Sequence, residues 1–387
     1  MNELDAILSP WRTEPDAVHG GVLATVVHVS GSAYRRPGAR MLILADGRRI
    51  GTVSGGCLES DVSKKAWWFT DGGKPAVRAY DTSSDDDAVW EFGLGCNGVV
   101  HVLFERIENP QTQELLRFLD TNRAARRGVV AATVVATSDG ARAQIGQRLL
   151  LEAGGVRGGS LHATPLETEI LTHTSACFLA QKSCLVHLHD CDVFVEWMGA
   201  PVPLVVFGAG HDAVPLVKFA KELGWHVTVA DGRANYAQAN RFPDADRIVV
   251  LGREDVLAGI EITRESIVVL MTHNYPMDVK LVERILPGKP RYLGLLGPKA
   301  RSEKLLAEAG QPLHGVDVHA PVGLDLGSDT PEAIALSIIA EIQASLCGRQ
   351  GSMLKWRDAA IHMPAEETGR SGAMVAPVSE SAVCELV

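Results

Sequence analysis

Residues 20–59 of this chain recur 108 positions later, as residues 128–167, without a gap. Of the 40 aligned positions 17 are identical, among them Thr25/Thr133, Val26/Val134, Val27/Val135, Gly38/Gly146, Arg40/Arg148, Gly47/Gly155, Gly51/Gly159, Leu58/Leu166 and Glu59/Glu167. That is more than shared composition produces, and an internal repeat of this kind fixes architecture before any single residue is interpreted. Each copy reads as an apolar strand (22–29 and 130–137), a polar turn and a second strand (40–44 and 148–151). A glycine turn, a short strand and a helix follow, the helix at 58–69 in the first copy. A further strand closes each copy, at 99–105 and 191–196, and both end in an apolar run with a glutamate. Residues 1–198 are therefore expected to be a mixed, β-rich domain of two related units, with copies at about 20–106 and 128–197.

The copies part company at their turns. Gly55-Gly56-Cys57 stands against Ala163-Thr164-Pro165, and Tyr34-Arg35-Arg36-Pro37 against Arg142-Ala143-Gln144-Ile145, while Gly95-Cys96-Asn97-Gly98 has no counterpart. Drift in a scaffold accounts for such differences, and so does a site carried by one copy alone. Glycines beside a thiol let backbone amides approach a bound group closely.

A proline-rich linker, Gly199-Ala-Pro-Val-Pro203, opens a different pattern. A strand at 204–207 runs into Gly208-Ala-Gly210-His211-Asp212-Ala213, then a helix to Leu223, a stop at Gly224 and a strand at 226–230 ending on Asp231. This G-x-G-x-x-A turn between strand and helix, with an acid 23 positions after the first glycine, predicts a Rossmann-type dinucleotide-binding domain. Gly208 and Gly210 permit the tight turn and close pyrophosphate approach, and Ala213 permits helix–strand packing. The helix amino terminus around His211 supplies N–H donors. Asp231 suits a ribose 2′-hydroxyl and Arg233 a 2′-phosphate, so the nucleotide stays open. Strands are expected at 247–251, 266–271 and 291–295, with helices at about 277–286, 299–309 and 331–346. The fold class is thus α/β: a Rossmann-type parallel sheet over residues 199–350 beside the repeat-built domain. Residues 351–387 read as a tail, rich in Ser, Ala, Gly and Glu beyond Pro364, and mobile by composition.

Composition narrows the function. With 37 Lys and Arg against 47 Asp and Glu the net charge is −10, which argues against nucleic acid as the main partner. No apolar run approaches a membrane span, and the residues after Met1 are polar rather than a signal core. Seven scattered cysteines without such a signal point to reduced thiols in the cytoplasm. Cys57 and Cys96 lie in glycine-bracketed turns and lack the C-x-x-C spacing of a zinc ribbon. They are candidate metal-proximal thiols, whereas Cys177, Cys184 and Cys191 read as core filling. Arg35 and Arg36 form a small basic loop suited to a phosphate or pterin oxygen, or a solvated turn. His273 follows a strand end where ligands of open α/β sheets sit; it suits an acid, a base, a metal ligand or a loop-bonding histidine. Lys299 and Arg301 put cations at a helix amino terminus and fit an anion site. No residue stands out as catalytic.

These stretches resemble the XdhC/CoxI family, accessory proteins of molybdenum hydroxylases such as xanthine dehydrogenase and carbon monoxide dehydrogenase. The matching stretches are residues 26–37, Gly51-Thr-Val-Ser-Gly-Gly-Cys57-Leu-Glu59, Gly95-Cys96-Asn-Gly98, Val206-Phe-Gly-Ala-Gly-His211, Met271-Thr-His273, Tyr292-Leu-Gly-Leu-Leu-Gly297 and residues 320–332. They depart from the family's usual pattern at Gly297-Pro-Lys299 and Asp212-Ala213. The resemblance implies a protein that binds molybdenum cofactor, as molybdopterin or its dinucleotide form, protects its sulfurated state and hands it to a hydroxylase apoenzyme. A cofactor-sulfurating enzyme and a second copy in a homodimer are the other expected partners; NAD(P) is an alternative occupant of the dinucleotide site. The rival class is an NAD(P)-dependent oxidoreductase. Against it, no Tyr-x-x-x-Lys follows the fingerprint. With no iron–sulfur motif either, an accessory role rather than that of a hydroxylase's own catalytic chain is expected.

Overall fold

The computed structural model describes residues 3–31, 33–81, 98–252, 254–310, 313 and 315–358. The chain divides into two compact units, Met1–Pro201 and Val202–Val387.

The first unit holds the repeat. One copy runs α1 (Glu3–Thr13), α2 (Pro15–His19), β1 (Val22–Gly31), β2 (Arg40–Ile43), β3 (Arg49–Gly51), α3 (Glu59–Phe69), β4 (Ala76–Asp81) and β5 (Gly98–Arg106). The other runs α4 (Pro110–Ala124), β6 (Val129–Thr137), β7 (Arg148–Glu152), β8 (Gly155–Gly158), α5 (Pro165–Ala180), β9 (Cys184–His187) and β10 (Cys191–Met198). Their antiparallel sheets have the same order, β3-β2-β1-β5-β4 and β8-β7-β6-β10-β9. The duplicated element is thus longer than the 40 aligned residues. It starts with a helix and closes with two antiparallel strands, β4 with β5 or β9 with β10, rather than with a single strand.

Period-two alternation gives each sheet two apolar faces. Val22, Ala24 and Val26 of β1 pack with Val62 and Ala66 of α3, and Val130, Ala132 and Val134 of β6 pack with Ile170 and Cys177 of α5. The opposite faces meet in cores built from both copies. One gathers Ile7, Leu8 and Leu23 with Leu115, Leu119, Ala131 and Leu150; the other is Val27, Leu103, Val135 and Phe194. Val27 and Val135 are 108 positions apart, and each is the extra residue of a β-bulge, where β1 slips against β5 and β6 against β10. A bulge adds local twist, and both copies use theirs to place a valine in the shared core.

Two ion pairs cross the same boundary. Arg40 of β2 donates to Glu196 of β10 from Nη1 (2.7 Å) and Nη2 (2.5 Å), and Arg148 of β7 donates to Glu105 of β5. All four side chains are buried. Burial works against the charged Arg40 guanidinium, but Glu196, with Glu105 and Glu3 behind it, outweighs the burial, so its pKa is raised. The matched Gly51 and Gly159 have positive φ, and a Cβ on either would collide with the carbonyl of Arg40 or Arg148. Cys177 and Cys191 lie in the second copy's core, with Cys184 against it.

The second unit is a six-stranded parallel sheet of β11 (Pro203–Phe207), β12 (His226–Asp231), β13 (Arg247–Val250), β14 (Ile267–Leu270), β15 (Tyr292–Leu295) and β16 (Asp317–His319). Its order, β13-β12-β11-β14-β15-β16, is the doubly wound 3-2-1-4-5-6 arrangement. Strand β16 was not expected from the sequence. Helices α6 (Ala213–Glu222) and α9 (Pro331–Leu346) share one core with the sheet, and α7 (Tyr275–Ile285) and α8 (Lys299–Ala309) the other. Among the described residues no helix is long and apolar enough to cross a membrane. Residues 359–387, most of the expected tail, lie outside the described residues.

Candidate functional site

In the second unit the strand order reverses between β11 and β14, and the loops leaving those strands converge there. Gly208 has φ 115°, and a Cβ on it would run into the Met271 carbonyl and the Thr272 amide, so only glycine lets β11 turn against the end of β14. Ala209 N donates to Asp231 Oδ2 (2.8 Å), tying the turn to β12. Ala213, the first residue of α6, is fully buried, whereas His211 is exposed. His273 occupies a left-handed conformation (φ 57°) and its Nε2 lies 3.1 Å from Asp212 Oδ2. A non-glycine residue held there marks a loop whose geometry is imposed by its surroundings.

Asp231 is enclosed. Its Oδ1 accepts from the Arg233 amide (2.8 Å) and Nε (2.9 Å), and its Oδ2 also accepts from Arg233 Nη2 (2.7 Å). Burial pushes this carboxyl upward, but Arg233 and the two amides outweigh it and hold it below the ordinary carboxylate range. The Arg233 guanidinium stacks on Tyr236 at 4.0 Å from the ring centroid, and Arg241 lies over the same ring at 4.7 Å. Arg241 Nη1 donates to the Ala209 carbonyl (2.8 Å), while its buried Nη2 has no partner among the described residues. Tyr236 and Arg241 escaped the sequence reading because nothing in the irregular stretch after β12 marks them.

Arg301 reaches this network indirectly. Its Nη2 donates to buried Asp278 (2.6 Å), whose other oxygen accepts from Thr272 Oγ1 (2.5 Å), beside His273. Lys299 stays in solvent near Glu303 of its own helix. The structure therefore joins Gly208, Asp231, Arg233, His273 and Arg301 through short links at the strand ends, and leaves Lys299 outside them.

In the first unit, a cavity of about 420 Å³ is lined by Glu3 of α1, Tyr34, Arg35, Arg36 and Arg40 of the β1–β2 region, and Glu196. Arg35 pairs with Glu3, yet its Nε and that of Arg40 are buried with no partner among the described residues. Arg36 is exposed, and no partner engages its side chain among the described residues. Gly55 lies so close to the Tyr34 ring that a Cβ would stand 3.2 Å from it. This brings the basic loop against the turn that carries Cys57.

That turn is clasped by Glu59. Its carboxylate accepts from the amides of Val53 (3.1 Å) and Ser54 (2.8 Å) and from Ser54 Oγ (2.6 Å). The second copy repeats the clasp, with Glu167 bonded to His162 and to the Ala163 amide. Glu59 is thus scaffold, and half-buried Cys57 is what the first copy adds. Cys96 lies outside the described residues. Among the described residues no three His, Cys, Asp or Glu side chains gather as metal ligands.

The chain matches the XdhC and CoxI family over residues 16–81 and the XdhC Rossmann domain over residues 204–342. A Bacillus subtilis protein named as a probable xanthine dehydrogenase subunit is 34% identical over 325 residues, 83% of this chain and 92% of that protein. The chain belongs to the XdhC/CoxI family. This XdhC/CoxI protein is also 24% identical to the Escherichia coli molybdenum cofactor insertion chaperone PaoD, over 84% of the chain and 82% of PaoD. A crystal structure described as a xanthine dehydrogenase of Bacillus halodurans shares its fold, with a TM-score of 0.75 and 31% identity, covering 92% of this chain and 99% of that one.

Proposed function

We propose that this XdhC/CoxI protein is a maturation factor for a molybdenum hydroxylase, which binds molybdenum cofactor and delivers it to the apoenzyme. The observation that carries the reading is where a symmetric unit loses its symmetry. The buried scaffold recurs in both copies, and the first copy alone brings Arg35, Arg36 and a half-buried thiol to one cavity and its adjoining turn. A relative that covers most of the chain is named a molybdenum cofactor insertion chaperone, which favours the same reading.

The residues fit such a group. Unpartnered guanidinium donors beside a 420 Å³ cavity suit the phosphate of a molybdopterin, and the volume lies in the small-molecule range of about 300–1,000 Å³. Arg35 and Arg36 would hold the phosphate, and Cys57, with Cys96, would offer soft sulfur ligands. Gly208, Gly210, His211, Ala213, Asp231, Arg233, His273, Lys299 and Arg301 would serve a nucleotide, whether part of the cofactor or a separate NAD(P). When bound, the molybdenum group supplies hydroxylation chemistry to the client enzyme. This chain's work is to hold it until transfer. A hydroxylase apoenzyme, a cofactor-sulfurating enzyme and a second copy of the chain are the proposed partners, in the cytoplasm.

The test is to purify the protein from a molybdate-supplied host, quantify molybdenum and pterin, and mix it with apo-hydroxylase. Retained cofactor and recovered hydroxylase activity are expected; protein free of both molybdenum and pterin, and inert in transfer, rejects the reading. His273 held beside Asp212 at the switch point favours a second reading, an NAD(P)-dependent oxidoreductase. It requires NAD(P)-linked turnover without molybdenum that is lost in His273→Ala.

A further inference from the structure

The fingerprint acid of the second unit is already spoken for. A carboxylate offers about four acceptor positions, and Asp231 receives four donors: the Ala209 amide, the Arg233 amide, Arg233 Nε and Arg233 Nη2. A ribose diol arriving at this position finds no free acceptor unless Arg233 withdraws. Withdrawal would strip the two-pronged partner from a carboxylate whose side chain is only 6% exposed, a costly change. What the site presents instead is the Arg233 guanidinium, 47% exposed, with its Nη1 donors uncommitted among the described residues.

A second observation points the same way. Arg241 is anchored to the fingerprint turn through the Ala209 carbonyl, shares the Tyr236 ring with Arg233, and keeps a buried Nη2 without a partner among the described residues. Two guanidiniums on one aromatic ring, both tied to the loops that would flank the nucleoside, form a cationic platform where a bare ribose asks for a hydroxyl acceptor. Arginine is the side chain whose planar fork matches phosphate oxygens.

We infer that the second unit takes an adenine dinucleotide bearing a 2′-phosphate, with Arg233 as its principal ligand, Arg241 beside it, and Asp231 serving to orient Arg233 rather than to bind ribose. The inference rests on the dinucleotide reading of the Gly208–Ala213 turn and deepens it. The occupant is then a separate nucleotide, not the nucleotide half of a pterin dinucleotide. Asp231 and Arg233 set the selectivity as one device, because the acid that would recognise a free 2′-hydroxyl is neutralised by the cation that recognises a phosphate.

Calorimetric titration of the full chain with NADP⁺ and with NAD⁺ tests this directly. NADP⁺ should bind at least tenfold more tightly. Arg233→Ala should weaken NADP⁺ by a similar factor and leave NAD⁺ unchanged or tighter, since Asp231 is released; Arg233→Lys should recover part of the NADP⁺ affinity. The selectivity proposal is overturned if the unmodified protein binds NAD⁺ as tightly as NADP⁺, or if Arg233→Ala weakens both equally. Binding of neither dinucleotide overturns the site assignment itself. The same titration with 2′,5′-ADP against 5′-AMP should reproduce the preference, which places it at the adenosine end.

Discussion

Arg40 and Glu196 form a two-pronged ion pair, both side chains 7% exposed, between strands that belong to different copies of the repeat. Arg148 and Glu105 form the reciprocal pair. Removing one partner of a buried pair leaves an uncompensated charge and costs about 3–5 kcal/mol. Glu196→Ala and Arg148→Ala should each lower stability in urea by about that amount. In a double-mutant cycle Arg40→Ala with Glu196→Ala should show strong coupling; additivity would mean that the pair is not formed.

Gly208 and Gly210 should behave differently although they share one motif. Gly208→Ala places a Cβ into the Met271 carbonyl at positive φ and should destabilise the second unit by about 2 kcal/mol or more. At Gly210 a Cβ meets only the movable Asp212 carboxylate. Gly210→Ala should therefore melt close to the unmodified protein yet bind dinucleotide about tenfold more weakly or worse, a loss of about 1.4 kcal/mol. Circular dichroism melts read the first difference and calorimetry the second.

Cys57→Ser should lower molybdenum retention, or retention of its sulfido ligand, with a change in melting no larger than a surface substitution gives. Pro165→Ala, at the matched position of the second copy, should leave cofactor content untouched. Metal analysis of the purified variants decides it. Full retention in Cys57→Ser removes the thiol from the proposed site.

His319 gives the second unit a pH dependence. Its ring stacks on Tyr292 with centroids 4.4 Å apart, and its nitrogens lie 3.0 Å from Asp317 and 3.2 Å from Glu341. Burial disfavours the charged ring, but the two carboxylates outweigh it and raise its pKa above the ordinary 6.5. A raised native pKa stabilises fully below the unfolded value of about 6.5 and loses that contribution as pH climbs through the native value. Melting temperature should fall across that window, and His319→Gln should flatten the fall. An unchanged slope in the variant would locate the titration elsewhere.

The repeat was legible because its gapless spacing holds through the glycine turns, where backbone geometry tolerates little else. Gly51 and Gly159 are both required by a carbonyl behind them. The strands β4 and β9 were missed because they are largely half-exposed along their length, so neither shows a clean period. The Rossmann unit was legible from one turn, since strand, glycines, helix and acid follow one another without interruption from residue 204 to residue 231; β16, only three residues long, carries no periodicity. The ion pairs could not be read, because their partners meet only once two sheets pack. A trace existed in the matched arginines and in the glutamate that ends each closing strand. Likewise the acid at Asp231 was visible, but not that an arginine two residues on would consume it.

The cores shared by the two copies have a consequence for synthesis. When residue 106 leaves the ribosome the first sheet is complete in sequence, yet Leu23, Val27 and Leu103 lack the part of their cores that the second copy supplies, and Arg40 and Glu105 lack their ion-pair partners. Those partners lie between Leu115 and Glu196, so this half of the protein can close only after some 90 further residues have been translated. The nascent chain must carry an open, charged, apolar surface through that interval, and a stop anywhere before Glu196 leaves it open.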